Sequence, residues 1–157
     1  MYRVGQGFDV HELGGEGPIT LCGVKIPHAA GLIGHSDADV AVHALMDAML
    51  GALALGDIGH WFPDTDQSFR GADSLKLLER IINSPEFSGW KLENLDITII
   101  AEKPKVAPHV MEMRSNLANA FNCDIAQVSV KATTTEKLGF CGREEGIAAS
   151  AVVLFSR

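Results

Sequence analysis

Asp9 and His11 stand two residues apart in Gly5-Gln-Gly-Phe-Asp-Val-His-Glu12. On an extended chain successive side chains alternate faces, so this carboxylate and imidazole project together while Val10 points away. A hard oxygen beside a borderline nitrogen suits Zn²⁺, which accepts Asp/His mixtures and wants one or two more ligands. The best further ligand is His43, in Ser36-Asp-Ala-Asp-Val-Ala-Val-His-Ala-Leu-Met-Asp47, which reads as the first turns of a helix. An Asp-x-His pair recurs by chance, and it is the histidine on a nearby helix that raises it to a candidate metal site. Asp39, His43 and Asp47 are spaced by four and share one helical face. That face is either a solvated polar stripe or the seat of a metal-bound His43 whose second ring nitrogen is oriented by a carboxylate. Periodicity does not choose between them.

A second constellation is Thr133-Thr-Thr-Glu136, at the end of a predicted strand. Its hydroxyls and carboxylate suit phosphate oxygens and a harder cation such as Mg²⁺ or Mn²⁺, although a threonine run is also plain β-propensity. Glu136, followed by Gly139 and Gly142, tips the reading towards a site. The chain has no Walker loop, no Gly-x-Gly-x-x-Gly and no Gly-x-Ser-x-Gly, so P-loop, dinucleotide and serine-nucleophile chemistries lack support. His28, His60 and His109 read as loop or surface residues. Only His35, beside the predicted helix start, is placed to meet an anion.

With 157 residues and 46% hydrophobic content, the expectation is one compact domain over residues 1–157 with a proper core. No apolar run approaches the roughly eighteen residues of a membrane span. Met1-Tyr-Arg-Val-Gly5 has neither the apolar stretch of a secretory leader nor a transit peptide's bias, so the expected location is cytoplasmic. Cys22, Cys123 and Cys141 are widely spaced and odd in number, which fits reduced thiols. A net charge of −7 argues against a nucleic-acid partner. It also requires local positive charge, from metal ions or backbone N–H groups, to hold any phosphorylated substrate.

The elements that must position these residues follow in order. Tyr2–His11 reads as a strand in which Gly5 and Gly7 mark a bulge or a close approach to a ligand. Gly14–Pro18 is a loop, Ile19–Ile26 a small hairpin broken at Gly23, and Gly31–Gly34 another loop. Ser36 or Asp37 is the expected cap of a helix running to about Leu55, with Val40, Leu45, Met49 and Leu50 on its apolar side. Gly56–Gly71 lacks a regular pattern; Asp57, Asp64 and Asp66 with Trp61 and Phe62 suggest a lid over a hydroxylated ligand in preference to disorder. Asp73 or Ser74 caps a helix over Leu75–Asn83 with Leu75, Leu78 and Ile82 inward. Leu95–Ala101 is the clearest strand, a third helix runs from Pro108 to Phe121, and Val128–Thr134 and Ile147–Phe155 complete the set. The class is α+β: a mixed sheet covered by helices on one face, plus the small hairpin.

Several blocks carry a resemblance. Gly7-Phe-Asp-Val-His11, Gly34-His-Ser-Asp37, Gly56-Asp-Ile-Gly59, Phe62-Pro-Asp-Thr-Asp66, Gly71-Ala-Asp-Ser74, Val130–Phe140 and Gly142-Arg143 resemble, in order, the 2-C-methyl-D-erythritol 2,4-cyclodiphosphate synthase family. Gln6 stands where that family often has histidine and His60 where lysine is common. Neither carries the family's metal chemistry. The resemblance implies an enzyme of the non-mevalonate isoprenoid pathway acting on a cytidine diphosphate ester of methylerythritol 2-phosphate. The 2-phosphate attacks the β-phosphorus, CMP leaves and a cyclic diphosphate forms.

By the same resemblance Asp9, His11 and His43 hold zinc and Glu136 holds a second divalent ion, Mg²⁺ or Mn²⁺. His35 and Ser36 take the 2-phosphate. Asp57 and Gly59 take the erythritol, with Ile58 and the stretch Phe62, Pro63, Asp64, Thr65 and Asp66 beside them. Ala101, Glu102, Lys103, Pro104, Lys105, Val106 and Ala107 receive the cytidine and α-phosphate. They do so together with Ala132, Thr133, Thr134 and Thr135, Thr134 and Glu136 lying nearest the chemistry. The family implies a homotrimer with sheets around a central axis and active sites between subunits. Phe8, Phe140 and Arg143 would line a central cavity for isoprenoid diphosphate.

This assignment explains what the sequence lacks. A phosphate oxygen is already anionic at neutral pH, so no general base or activated serine is needed. The reaction needs charge neutralisation and a folded substrate, and holding both reacting ends of one molecule contributes up to roughly 7–11 kcal/mol in favourable systems. Two rivals come from other classes. A zinc hydrolase would use the same three ligands to activate water. A non-catalytic isoprenoid-phosphate-binding trimer would bind without turnover. The matched blocks favour the synthase.

Overall fold

A computed structural model describes residues 1–157. A five-stranded mixed sheet runs in the order β4 (Gly31–Leu32), β1 (Tyr2–Gly14), β7 (Gly146–Ser156), β5 (Lys91–Ile100) and β6 (Val128–Thr133). Only β5 and β6 are parallel; β1 and β7 pair antiparallel without a break from Tyr2–Ser156 to Glu12–Gly146. β2 (Ile19–Leu21) and β3 (Val24–Ile26) form the separate hairpin expected from the sequence. One face of the sheet carries α1 (Val40–Ala52) over β1 and β7 and α4 (Val110–Phe121) over β6, with α3 (Ser74–Ile82) against both helices. The interior is one cluster of 36 buried residues between these layers. The class is therefore the expected α+β.

The opposite face of the sheet is bare, and alternation explains it. In β1 the even-numbered Val4, Phe8 and Val10 point outward with Val152 of β7, at 43–68% exposure. The odd-numbered Gly5, Gly7, Asp9 and His11 face α1. Gly5 and Gly7 neither bulge nor meet a ligand. A Cβ on Gly5 would lie 1.9 Å from the Ala48 carbonyl oxygen, and one on Gly7 would lie 2.0 Å from that of Ala44. Helix backbone thus rests directly on strand backbone, which brings the next helical residue, His43, down to the level of Asp9 and His11.

α1 begins later than expected. Its N-cap is Asp39, not Ser36 or Asp37, and the helix ends at Ala52. Asp39 is fully buried; its carboxylate accepts from Val42 N (3.1 Å) and from Cys22 N and Gly23 N in the β2–β3 turn. One side chain thereby caps the helix and ties the hairpin to it. Burial pushes its pKa up to about 6 against the lowering effect of those N–H groups. α1 is enclosed on nearly all sides, so the apolar side read from the sequence is only part of its buried surface.

Other boundaries differ for identifiable reasons. The patternless Gly56–Gly71 stretch contains α2 (Ile58–Trp61), capped by Asp57, and a 3₁₀ turn at Gln67–Phe69, capped by Asp66. Both are too short for a periodic signal. α3 is capped by Asp73 and buries Ser74, Leu77, Leu78 and Ile81, while Leu75 and Ile82 are only partly covered. β1 extends to Gly14 by pairing with β4, so Gly31-Leu32 is strand, not loop. β5 starts at Lys91 through an irregularity between Leu92 and Asn94. The short α5 (Gly139–Gly142) begins and ends on glycine, so its sequence carries no helix signal. All three cysteines are free thiols, as their spacing suggested.

Candidate metal centre and surrounding cavity

Asp9 and His11 project from one face of β1, and His43 reaches them from the second turn of α1. His11 Nε2 lies 2.9 Å from Asp9 Oδ2 and 3.0 Å from His43 Nδ1, and His43 Nδ1 lies 3.2 Å from the same carboxylate oxygen. The edge of a tetrahedron with metal–ligand bonds of about 2.0–2.1 Å is roughly 3.3–3.4 Å, close to these separations.

The outward hydrogen bonds fix what each ring presents. His11 Nδ1–H donates to the Ile33 carbonyl (2.8 Å), since that oxygen can only accept. In its neutral form His11 therefore keeps its proton on Nδ1, and Nε2 is the nitrogen it can offer to a metal beside Asp9. His43 Nε2 lies 3.0 Å from both Ser74 Oγ and Ser36 Oγ, leaving Nδ1 for the shared point. Two imidazole lone pairs and a carboxylate then converge, which is the donor set of a divalent metal site.

Without metal, protons fill the same role. Burial raises the Asp9 pKa, but the hydrogen bonds and charges of His11 and His43 outweigh it and hold the carboxyl well below the usual carboxylate range. Burial of His11 works against its protonation, yet Asp9 and the Ile33 carbonyl raise its pKa above the ordinary value.

The Asp39–His43–Asp47 face resolves into three separate roles. Asp39 caps α1, His43 joins the metal centre, and Asp47 Oδ1 accepts from Ile58 N (2.8 Å), holding the start of α2. No carboxylate touches the second nitrogen of His43; the hydroxyls of Ser36 and Ser74 do. Sequence alone does not mark Ser74 as a partner of His43, because a serine at a helix start looks like a cap. Asp73 performs that task.

The centre opens into a cavity of about 320 Å³. His35, Ser36, Ile58, Gly59, Phe62 and Asp64, all expected in the substrate site, line it. His35 Nε2 donates to the Asp66 carbonyl (3.3 Å), and Asp57 caps α2 while pairing with His60 (3.0 Å). Phe62 stacks edge-on with Phe69 at 5.2 Å, and the Arg80 guanidinium lies over both rings. Pro63, Thr65 and Asp66 belong to the same segment but do not line the cavity.

The second constellation lies elsewhere on the sheet. The stretch from Ala101 to Ala107 follows β5, and Thr134 to Glu136 follows β6; Ala101 N bonds to the Thr133 carbonyl at 3.0 Å. Glu102 Oε1 accepts from Thr135 N and Lys137 N, both at 3.1 Å, across Glu136. That carboxylate holds Glu136 and Lys137 in left-handed backbone, at φ 53° and 63°. Ala101 and Val106 are buried, and Lys103 is paired with Glu144 (3.2 Å). Glu136 itself is exposed. Phe8 is on the bare sheet face, Phe140 is exposed within α5, and Arg143 grips Glu145 through Nε and Nη2.

Comparison with known proteins decides the family. The model of the YgbB family matches residues 2–156. This chain belongs to the YgbB family. The Listeria monocytogenes (strain F2365) 2-C-methyl-D-erythritol 2,4-cyclodiphosphate synthase is 58% identical to it over 157 residues, covering all of both chains. Among solved structures, the bifunctional IspDF of Campylobacter jejuni superposes with a TM-score of 0.94 at 46% identity, covering 99% of this chain and 42% of that one. The Plasmodium falciparum IspF in a CDP complex gives 0.83 at 33% identity, covering 98% and 95%. The YgbB match embraces every block of residues on which the resemblance rested, the metal triad among them.

Proposed function

We propose that this chain converts 4-diphosphocytidyl-2-C-methyl-D-erythritol 2-phosphate to 2-C-methyl-D-erythritol 2,4-cyclodiphosphate, as a single domain over residues 1–157. An oxygen of the 2-phosphate attacks the β-phosphorus, the bond from that phosphorus to the bridging oxygen breaks, and CMP leaves with that oxygen. The observation that carries the reading is the convergence of Asp9, His11 and His43 on one point, beside a cavity walled by His35, Ser36 and Gly59, in a member of this family. Zinc held by Asp9, His11 and His43, with Mg²⁺ or Mn²⁺ held by Glu136, would supply charge neutralisation at phosphorus.

The chain's own residues do the rest. His35 and Ser36 hold the 2-phosphate close to the triad. Asp57 and Gly59 hold the erythritol hydroxyls, with Ile58, Phe62 and Asp64 lining the cavity beside them. The cytidine and α-phosphate lie along Ala101–Ala107 and Ala132–Glu136, where the Thr134 hydroxyl accepts from Glu136 N and keeps its own proton to donate. No side chain need remove a proton, because the nucleophile is anionic. Restricting the two reacting ends to one geometry is the protein's main contribution.

A homotrimer fits this reading. Asp9 and Ala132 occupy one row of the sheet with β7 and β5 between their strands, so a single chain offers two half-sites set well apart. Bare Val4, Phe8, Val10 and Val152 supply an apolar sheet face to pack about a central axis. Phe8, Phe140 and Arg143 would then line an axial cavity for isoprenoid diphosphate. The proposed location is the cytoplasm; no helix is long and apolar enough to cross a membrane.

Phosphorus NMR on the purified protein with this substrate tests the proposal. The expected products are CMP and a cyclic diphosphate. CMP with a ring-opened phosphate would make it a hydrolase, and binding without any new resonance would make it a binding protein.

A further inference from the structure

Asp37 and Ser74 lie in two of the blocks that carry the family resemblance, yet neither lines the cavity or joins the metal triad. They meet behind His43. The Ser74 hydroxyl donates to Asp37 Oδ1 in a short hydrogen bond, and Ser74 N donates to Asp37 Oδ2 (3.1 Å). Asp37 Oδ1 also accepts from Asp39 N (3.1 Å). On its other side Ser74 Oγ lies 3.0 Å from His43 Nε2. Ser74 is fully buried, so water does not compete for these bonds.

The direction of the chain of bonds follows from the chemistry of its end. An ionised carboxylate has no proton to give, so the single hydroxyl proton of Ser74 is committed to Asp37. Ser74 Oγ can then only accept from His43, which places the ring proton on Nε2 and leaves Nδ1 with a free lone pair. Ser36 Oγ, also 3.0 Å from Nε2, is not committed in this way and can donate or accept, so it does not decide the tautomer. His11 has its own arrangement through the Ile33 carbonyl. We propose that Asp37 and Ser74 are positioning residues that lock His43 as its Nε2–H tautomer and aim Nδ1 at the metal. The relay also joins the segment leading into α1 to the first turn of α3. The same three atoms thus set both the ring's orientation and its proton.

The inference rests on the reading of Asp9, His11 and His43 as the zinc site, and the two can fail separately. Two measurements test it: zinc affinity by chelator competition, and the His43 ring proton by nitrogen-15 NMR of metal-free protein at about pH 8.5, above the ordinary imidazole range. The parent should show Nε2–H at His43. Ser74→Ala should bind zinc about 10–100-fold more weakly, the usual effect of losing an outer partner of a ligating histidine. Asp37→Asn is nearly isosteric, but its amide can donate to Ser74 and free that hydroxyl to donate to His43. It should populate the Nδ1–H tautomer and weaken zinc at least as much.

A purely structural cap would leave the tautomer untouched. Folded variants with zinc affinity within about twofold of the parent, against the expected 10–100-fold, would overturn the proposal. So would an Nδ1–H tautomer in the parent, which decides the matter even where a variant does not fold. A parent that binds no zinc would sink the metal assignment alone, with the tautomer in the metal-free protein still deciding this one.

Discussion

Gly7 lies directly beneath Ala44, so that a Cβ on the glycine would come within 2.0 Å of the Ala44 carbonyl oxygen and 2.7 Å of Ala48 N. Both obstacles are backbone, which cannot swing aside as a side-chain tip can. The position of His43 relative to Asp9 and His11 depends on this contact, because α1 carries the one ligand and β1 the other two.

Gly7→Ala should therefore act on stability and on metal together. Overpacking typically costs about 1–3 kcal/mol, and a clash with a helix backbone belongs at or above the upper end. Urea unfolding of metal-free protein should show that loss, and zinc affinity should fall because α1 is lifted from the sheet. Unchanged values for both would mean that strand and helix can part without disturbing the centre.

Much of this arrangement was legible in the sequence, for physical reasons that differ by element. The strand around Asp9 and His11 has a two-residue alternation that survives folding, since one sheet face is covered and the other bare. His43 was legible as a ligand, but α1's surroundings were not. A helix enclosed by sheet, hairpin and α3 has no single apolar stripe to read. Asp39 competes with Ser36 and Asp37 as a cap on residue type alone, and only the β2–β3 turn, some sixteen residues back in the chain, selects it. Gly5 and Gly7 read as a bulge or a close approach to a ligand, whereas what approaches them is the backbone of α1, which strand-level patterns do not encode. Ser74 and Asp37 meet through folding of segments far apart in sequence, which no local pattern encodes.

Zinc binding should depend on pH through His11. Its folded pKa is raised, so in the metal-free protein the proton on His11 contributes stability below its ordinary value of 6.5, lost as pH rises through the raised value. Asp9 has a lowered pKa, so its ionised form contributes stability above its ordinary 3.8, lost as pH falls towards the lowered value. The paired state is thus favoured between the two. Zinc must displace the His11 proton, so its apparent affinity should fall about tenfold per pH unit below the raised His11 pKa. Calorimetry in buffers of different ionisation enthalpy should detect close to one proton released in that range. No release there would mean that His11 is not a ligand.

Glu136→Gln should keep zinc and raise the Mg²⁺ or Mn²⁺ concentration needed for half-maximal activity. A neutral amide oxygen binds hard cations less well than a carboxylate does. The backbone around Glu136 is held by Glu102, so the substitution leaves the loop in place. A divalent-ion titration superimposable on the parent's would make Glu136 a structural residue.

Asp9, Ala149, Ile99 and Ala132 form one row across the sheet, and three strand spacings put Asp9 and Ala132 roughly 14 Å apart. If a site is completed by the zinc half of one subunit and the Glu136 half of its neighbour, two inactive variants should rescue each other. His43→Ala lacks the first half and Glu136→Ala the second, so each pure trimer should be inactive. Going round a mixed cyclic trimer in the productive direction meets one junction of two intact halves. Random equal mixing leaves about three quarters of trimers mixed, each with one good site in three, so activity should recover to roughly a quarter of the parent's. The two chains must be co-expressed or refolded together, because assembled trimers can exchange slowly. Activity that stays at the level of the single variants at every mixing ratio would place both halves of each site in one chain.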